Sequence, residues 1–374
     1  MSRAGMRIGI DARLVYYSRA GIGQYILNLA GWLAQIDGAN EYVLLQSRKD
    51  STTIVERANF RRVSLWTPSH HRFEQHALPA EIAHLGLDLL HSPDFIPPFR
   101  ANCRTIITVH DLAFLLYPQF LTRESARYYG QIDQAVRQAD HIIADSESTR
   151  RDILRMLGAP PDKVSVVYLA ANPLYRPIPL AQARQRVAEK FGLSGDFILS
   201  VGTIEPRKNL PTLLRAYRQL LDAYKLDVGL ALAGGEGWLY AEIPSLVRRL
   251  RLTGRARFLG RVPDEDLLHL YNAAGVVAHP ALYEGFGLPP LEAMACGTPA
   301  VVSNASSLPE VVGGAGLLIE PEGVDAWAAA LWRVFCDDDL RDELSQKALA
   351  RSRRFSWERA ARHTLRIYEQ VVRR

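Results

Sequence analysis

At 374 residues the chain is too long for one ordinary core, and 48% hydrophobic with 23% charged side chains is the balance of a globular protein, not a disordered one. No stretch approaches the roughly 18 uninterrupted apolar residues of a membrane span, and Cys103, Cys296 and Cys336 are scattered without metal-ligand spacing, so free thiols in a reducing cytoplasm are expected. The formal net charge is only +5, yet Lys347 to Arg374 holds nine Lys/Arg against two Glu, a local +7; this suits a solvated helix face or attraction to an anionic membrane, and no nucleic-acid motif accompanies it.

The opening Met1-Ser2-Arg3-Ala4-Gly5-Met6-Arg7 leads straight into the strand-like Ile8-Gly9-Ile10, so no secretory signal is expected. From there short apolar, β-branched runs alternate with helical stretches. Strands are predicted at 7–11, 42–46, 63–66, 87–90, 105–110, 141–144 and 164–168, then at 197–201, 229–233, 257–259, 276–279, 300–303 and 316–319. Helices are predicted between them at 23–36, 123–139, 210–224, 243–252, 264–274 and 324–335. Such alternation implies parallel sheets covered by helices on both faces, and two such sets imply two doubly wound α/β domains. The boundary is placed within 169–194, where Asn172-Pro173-Leu174-Tyr175-Arg176-Pro177-Ile178-Pro179 forbids regular structure. The expected division is 1–180, 181–355 and a final helix, 356–374.

Ligands of open α/β sheets bind beyond the carboxyl ends of the strands, so the segments after each strand carry the functional reading. Ser18-Arg19-Ala20-Gly21-Ile22-Gly23 is a glycine turn opening a helix; it is either a tight turn or a close approach of backbone to phosphate. His110 ends a strand and is either a satisfied edge histidine or a donor to a sugar hydroxyl; His91, at a similar position, is given no role. Ser146 or Ser148 reads as a helix cap. In the second half Val201-Gly202-Thr203-Ile204-Glu205-Pro206-Arg207-Lys208-Asn209 delivers a glycine turn, then adjacent cations, then a helix. Arg207 brings a planar fork and Lys208 a compact charge, the parts of an anion clamp. The loop Gly260-Arg261-Val262-Pro263 could present backbone groups to a base.

Glu284-Gly285-Phe286-Gly287-Leu288-Pro289-Pro290-Leu291-Glu292 places two carboxylates seven residues apart with glycines and prolines between. It reads as a loop carrying Glu284 and a helix start carrying Glu292, with free N–H groups at the helix terminus as an anion site. Carboxylates beside an anion site are expected to hold hydroxyls, and a phosphorylated sugar supplies both kinds of group.

Together these residues resemble the retaining nucleotide-sugar glycosyltransferases of family 4, over nearly the whole chain, and among them bacterial mannosyltransferases of surface-polysaccharide assembly. The resemblance implies the GT-B architecture, two Rossmann-like domains facing a central cleft, an acceptor-side first domain and a donor-binding second one, with the final helix returning to the first. It implies that Arg207 and Lys208 hold a donor diphosphate approached by Gly21, Gly23 and the Gly202-Thr203 turn. Glu284 would face the transferred sugar and the Phe286, Gly287 and Leu288 backbone would line sugar and phosphate. Glu292 would hold the ribose, Arg261 and Val262 would border the base, and His110 would lie beside the sugar. Where many relatives have an arginine, this chain has Thr203, which shifts the phosphate load to Arg207.

The expected reaction is transfer of a hexose, mannose from GDP-mannose foremost, to a hydroxyl of a glycan or lipid-linked glycan, with retention. No cofactor and no metal are expected beyond the donor. The expected place is the cytoplasm, with peripheral contact to an anionic membrane. A sugar-nucleotide epimerase, a phosphorylase of similar architecture and a non-catalytic nucleotide- or glycan-binding scaffold are the alternatives.

Overall fold

The computed structural model describes residues 5–17, 21–237 and 240–374. The chain divides into two units, residues 1–169 with 356–374, and residues 170–355. The opening Met1–Ala4, and Ser18–Ala20 of the glycine turn, lie outside the described residues.

The first unit is built on β1 (Arg7–Asp11), β2 (Glu41–Ser47), β3 (Phe60–Leu65), β4 (Leu89–Ser92), β5 (Arg104–Val109), β6 (His141–Ala144) and β7 (Val164–Val166). They form one sheet in the order β3-β2-β1-β4-β5-β6-β7, with every pairing parallel. Helices cover both faces, so the strands are apolar on both sides; Ile8, Ile10, Leu44, Leu45, Ile106, Ile107, Ile142 and Ile143 are all buried. Each contributes about 1.5–3 kcal/mol of transfer free energy.

The second unit repeats the plan with β8 (Phe197–Val201), β9 (Gly229–Ala233), β10 (Ala256–Gly260), β11 (Val276–His279), β12 (Ala300–Ser303) and β13 (Leu317–Ile319), in the order β10-β9-β8-β11-β12-β13. Alternation along β8 sends Ile198 to one face, among Leu213, Tyr217, Trp327 and Leu331, and Phe197 and Leu199 to the other, among Val187, Leu268 and Tyr271. The strand order reverses direction between β8 and β11. That crevice is where open α/β sheets take their ligands.

The thirteen predicted strands are all found, within three residues at each end. Other expectations change. The units divide at 169/170 rather than at 180/181, because the proline-rich segment packs on the second unit: Tyr175 meets Tyr271 edge-on at 5.3 Å, and the Ile178 N–H donates to Asn272 Oδ1 at 2.9 Å. The predicted boundary stretch also contains a helix, Leu180–Phe191, which buries Ala183 and Val187. The single helix expected at 123–139 is two, Arg123–Tyr129 and Ile132–Gln138, interrupted at Gly130, a poor helix former.

The C-terminal helix Trp357–Arg373 belongs to the first unit. Ser356 caps it, and Trp357, Ala360, Ala361, Thr364, Ile367, Tyr368 and Val371, spaced by threes and fours, are buried. Tyr368 Oη lies 2.6 Å from His91 Nδ1, while His91 Nε2 lies 2.8 Å from Thr108 Oγ1. Burial lowers the His91 pKa to about 3, so this ring is a neutral core group.

Candidate active site

Three adjacent strands of the second unit run into glycine at their carboxyl ends. Gly202 follows β8, Gly234 follows β9 and Gly260 ends β10; the Gly202 N–H donates to Ala233 O and the Gly234 N–H to Gly260 O. A Cβ on Gly234 would lie 1.9 Å from Gly202 O, so the two backbones meet only because no side chain intervenes. Pro206–Lys208 then makes one helical turn, closed by Asn209 at φ 53°. The buried Asn209 amide donates to Pro280 O at 3.2 Å and Pro321 O at 2.8 Å, and the Leu282 N–H donates to Arg207 O at 2.8 Å. The turn after β8 is thereby stitched to the loop after β11, at the switch point.

Glu284 lies in that second loop and is 7% exposed. The Arg207 guanidinium donates to Glu284 Oε2 at 3.1 Å, while the Lys208 ammonium and His279 Nε2, the latter at 2.8 Å, share Oε1. Burial opposes the charge, but Lys208, Arg207 and His279 hold this carboxyl well below the usual range. Burial also lowers the His279 pKa, against the pull of Glu284. Arg207 makes a second ion pair, Nε to Glu205 Oε1 at 2.6 Å. The loop backbone is held by serines: the Glu284 N–H donates to Ser306 Oγ at 2.8 Å, and Ser307 Oγ reaches the Glu284 and Phe286 carbonyls at 2.9 and 2.8 Å.

The helix Leu288–Ala295 follows, with Gly287 at φ 104°, where a Cβ would also strike Leu308 at 2.7 Å. The expected anion site at this terminus is poorer than supposed. Pro289 and Pro290 occupy its second and third positions and carry no N–H, so of the first three helical donors only Leu288 remains, beside the Gly287 N–H. Glu292 sits one turn further in and accepts from Tyr271 Oη at 2.7 Å. Burial pushes its pKa up to about 7, against the Tyr271 hydrogen bond and with help from Asp264.

Of the remaining donor-side residues, Thr203 and Arg261 are exposed beyond the ends of β8 and β10. Val262 packs into the core cluster around Tyr271, leaving its backbone as the group it can offer. The Phe286 ring is buried edge-on against Phe355, 5.7 Å between centroids, so it too serves through its main chain.

In the first unit Gly21 takes φ 51° as the residue before the helix Ile22–Ile36, and Gly23 is buried in that helix's first turn. His110 follows β5. Its Nδ1 lies 2.6 Å from Asp145 Oδ2, and its Nε2 is 2.8 Å from Pro93 O, so neither ring nitrogen is free for a substrate hydroxyl in this state. Burial opposes its charge, yet Asp145 and the Pro93 carbonyl raise the His110 pKa; burial likewise raises that of Asp145, so the pair keeps its proton to higher pH. Ser146 caps the helix Glu147–Leu157, accepting from the Thr149 N–H.

The structure thus brings Arg207, Lys208 and Glu284 into contact and sets Glu292 on the adjoining helix. Sequence reading missed His279, Tyr271, Asp145 and the role of Glu205. His279 offered a signal, since it ends β11 five residues before Glu284; Tyr271 offered none. Part of the basic tail is structural: Arg351 donates to Val311 O at 3.0 Å and lies over the Phe355 ring. All three cysteines are free. Among the described residues, no group of three or more His, Cys, Asp or Glu is placed to hold a metal ion, and no helix is long and apolar enough to cross a membrane.

Residues 182–351 match the family model of glycosyl transferases group 1, and residues 19–173 match that of glycosyltransferase family 4. O-antigen chain mannosyltransferase B of Escherichia coli is 38% identical over 283 residues, 75% of this chain and 74% of that one. The serotype-specific mannosyltransferase WbdA of Escherichia coli is 32% identical over 74% of this chain but only 35% of its own greater length. Among solved structures, sucrose-phosphate synthase from Thermosynechococcus elongatus superposes with a TM-score of 0.79 at 23% identity, over 98% of this chain and 99% of that one. Anabaena HepE in complex with UDP and glucose gives 0.76 at 20% identity, over 98% and 100%. The architecture is GT-B, and the chain belongs to glycosyltransferase family 4, the group 1 glycosyl transferases.

Proposed function

We propose that this glycosyltransferase moves a mannosyl group from GDP-mannose to a hydroxyl of a glycan or lipid-linked glycan, with retention of anomeric configuration and without a metal. The observation that carries the reading is the set of two cations and a carboxylate, Arg207, Lys208 and Glu284, at the β8/β11 switch point. The choice of mannose is supported by the relatives named mannosyltransferases.

The leaving group is a nucleoside diphosphate, so the chemical need is to stabilise charge that grows on phosphate oxygens. Leu282 and Asn209 fix the backbone of this turn, and Glu284 holds the Arg207 and Lys208 side chains before any substrate arrives. Once they hold the donor, such fixed donors need no reorganisation in the chemical step, and removing one typically costs about 2.7–4 kcal/mol. They supply the positive charge that a divalent ion would otherwise provide, which is the basis for proposing metal independence. Glu284 would face the hexose, whose ring gains positive charge as the phosphate leaves. Glu292, fixed by Tyr271, would hold ribose hydroxyls. No general base is assigned; the departing phosphate can accept the acceptor's proton on the face it leaves.

The test is direct. Purified protein incubated with GDP-mannose, UDP-glucose or ADP-glucose and a mannose-terminated acceptor should give a glycosylated product from GDP-mannose, with the donor's α-configuration by NMR. Hydrolysis or epimerisation without transfer would refute it.

Peripheral membrane contact belongs to the same reading. Arg359, Arg362, Arg366 and Arg373 are exposed and, at spacings of three, four and seven, share one face of the C-terminal helix, opposite its buried face. Arg362 is paired with its helix neighbour Glu358 at 2.8 Å. Such cations are worth roughly 1 kcal/mol each near an anionic bilayer.

A further inference from the structure

We propose that Glu284 is a built-in counter-anion of the phosphate clamp, which makes the enzyme prefer a nucleoside diphosphate sugar over the nucleoside diphosphate left after transfer. The proposal rests on the assignment of Arg207 and Lys208 to the donor diphosphate.

The geometry is that of an occupied clamp. One carboxylate engages both cations at once, Arg207 through Oε2 at 3.1 Å and Lys208 through Oε1, while Glu205 takes a further nitrogen of Arg207 at 2.6 Å. Two cations face two carboxylates, and His279 adds a hydrogen bond to Oε1. Both cations are thus already paired to carboxylates, and an arriving diphosphate gains their full charge only by displacing Glu284. It must take cations from Glu284, and it must do so with a carboxylate held within contact distance of the same two groups. Like charges at this range in a partly dry site repel strongly.

Glu284 cannot leave easily. Ser306 and Ser307 fix its main chain on both sides, so the rearrangement is confined to the side chain. A buried carboxylate that loses ion pairs needs new donors. A hexose attached to the diphosphate brings several hydroxyls that can donate to it. The nucleoside diphosphate without its sugar keeps only its ribose hydroxyls, which Glu292 would hold, and brings none to Glu284. The intact donor thus compensates Glu284 for the cations it gives up, while the spent product leaves it uncompensated beside a phosphate. The same carboxylate that faces the sugar before transfer then returns to Arg207 and Lys208 and drives the product out. Product release limits many enzymes, so this contact bears on turnover as well as on recognition.

Isothermal titration of GDP, UDP and ADP, and of the matching sugar nucleotides, into wild type and Glu284→Gln tests the idea. Gln keeps the volume and removes the charge. The nucleoside diphosphate should bind Glu284→Gln about tenfold more tightly than wild type, while the sugar nucleotide gains less or nothing, so the preference for donor over product shrinks. Product inhibition constants should fall in step. Glu284→Asp keeps the charge that the two cations need for folding but is too short to engage both, and should tighten the same nucleotide by about threefold; it serves if the Gln variant does not fold. Unchanged or weaker nucleoside diphosphate binding in the folded variants overturns the proposal. If none of the three nucleotides binds wild type at all, the clamp assignment fails, and the role of Glu284 falls with it.

Discussion

Replacing Glu292 by Gln should make the second unit more stable above neutral pH while weakening its hold on the donor. The Glu292 carboxyl stands at about 7 against an ordinary 4.5. Between those values the native protein binds more protons at this site than the unfolded chain does. Stability from this group therefore falls as pH rises from 4.5 to 7 and is flat above. At 1.36 kcal/mol per unit the loss is roughly 3 kcal/mol, and Gln cannot suffer it. For a unit of this size about 2–4 °C accompanies each kcal/mol, so Glu292→Gln should melt several degrees higher than wild type at pH 8 and show no such gain at pH 5. Calorimetric scans at pH 5, 6, 7 and 8 on the two proteins decide the matter. A Glu292→Gln curve that parallels wild type across the series would refute the reasoning. In the same variant the donor KM should rise with kcat little changed, because ribose contacts are alike in ground and transition states. A residue kept at a cost in stability is the expected signature of a binding role.

Transfer should survive exhaustive EDTA treatment; a strict requirement for added magnesium or manganese would show that Arg207 and Lys208 are not sufficient for the leaving group. Glu284→Gln should lower kcat by more than tenfold even as it tightens the nucleoside diphosphate, and wild-type turnover in that variant would remove Glu284 from the reacting sugar. Asp145→Asn strips His110 of the carboxylate that raises its pKa while leaving its burial, so the His110 titration followed by NMR should move down in pH, and an unmoved titration would show that the pair is not coupled. Arg359→Gln with Arg366→Gln should halve or further reduce sedimentation with anionic vesicles at low salt; equal sedimentation would return this helix face to simple solvation.

Most strands were legible because, buried on both sides, they are short continuous apolar runs with a β-branched bias, as at Ile106-Ile107 and Val301-Val302, while the edge strands β3, β10 and β13 are partly exposed. The placement of Glu284 in a loop and Glu292 on the following helix was legible from glycines and prolines alone. What the sequence hid was pairing. That Glu284 grips Arg207 and Lys208, seventy-six or more residues earlier, depends on β8 and β11 lying side by side, which only the sheet order supplies. Tyr271 was equally hidden, an aromatic at core spacing whose hydroxyl donates to Glu292. The helix Leu180–Phe191 went unseen because prolines precede it and Gln and Arg dominate its face. The two prolines of Pro289-Pro290 were in plain view, but their missing N–H groups weigh against the anion site that the same segment suggested.

The C-terminal helix has a consequence for how the protein is made. It follows the whole second unit in the chain, yet it supplies Trp357, Ile367, Tyr368 and Val371 to the interior of the first. During synthesis the second unit can emerge complete while the first still waits with an uncovered face, where His91 Nδ1 lacks its Tyr368 partner. Folding of the earlier unit is thus tied to translation of a distant segment. Trimming or fusing the chain near Trp357–Arg373 would strike the half of the protein that was synthesised earlier, and limited proteolysis there should loosen residues 5–169 before it touches residues 170–355.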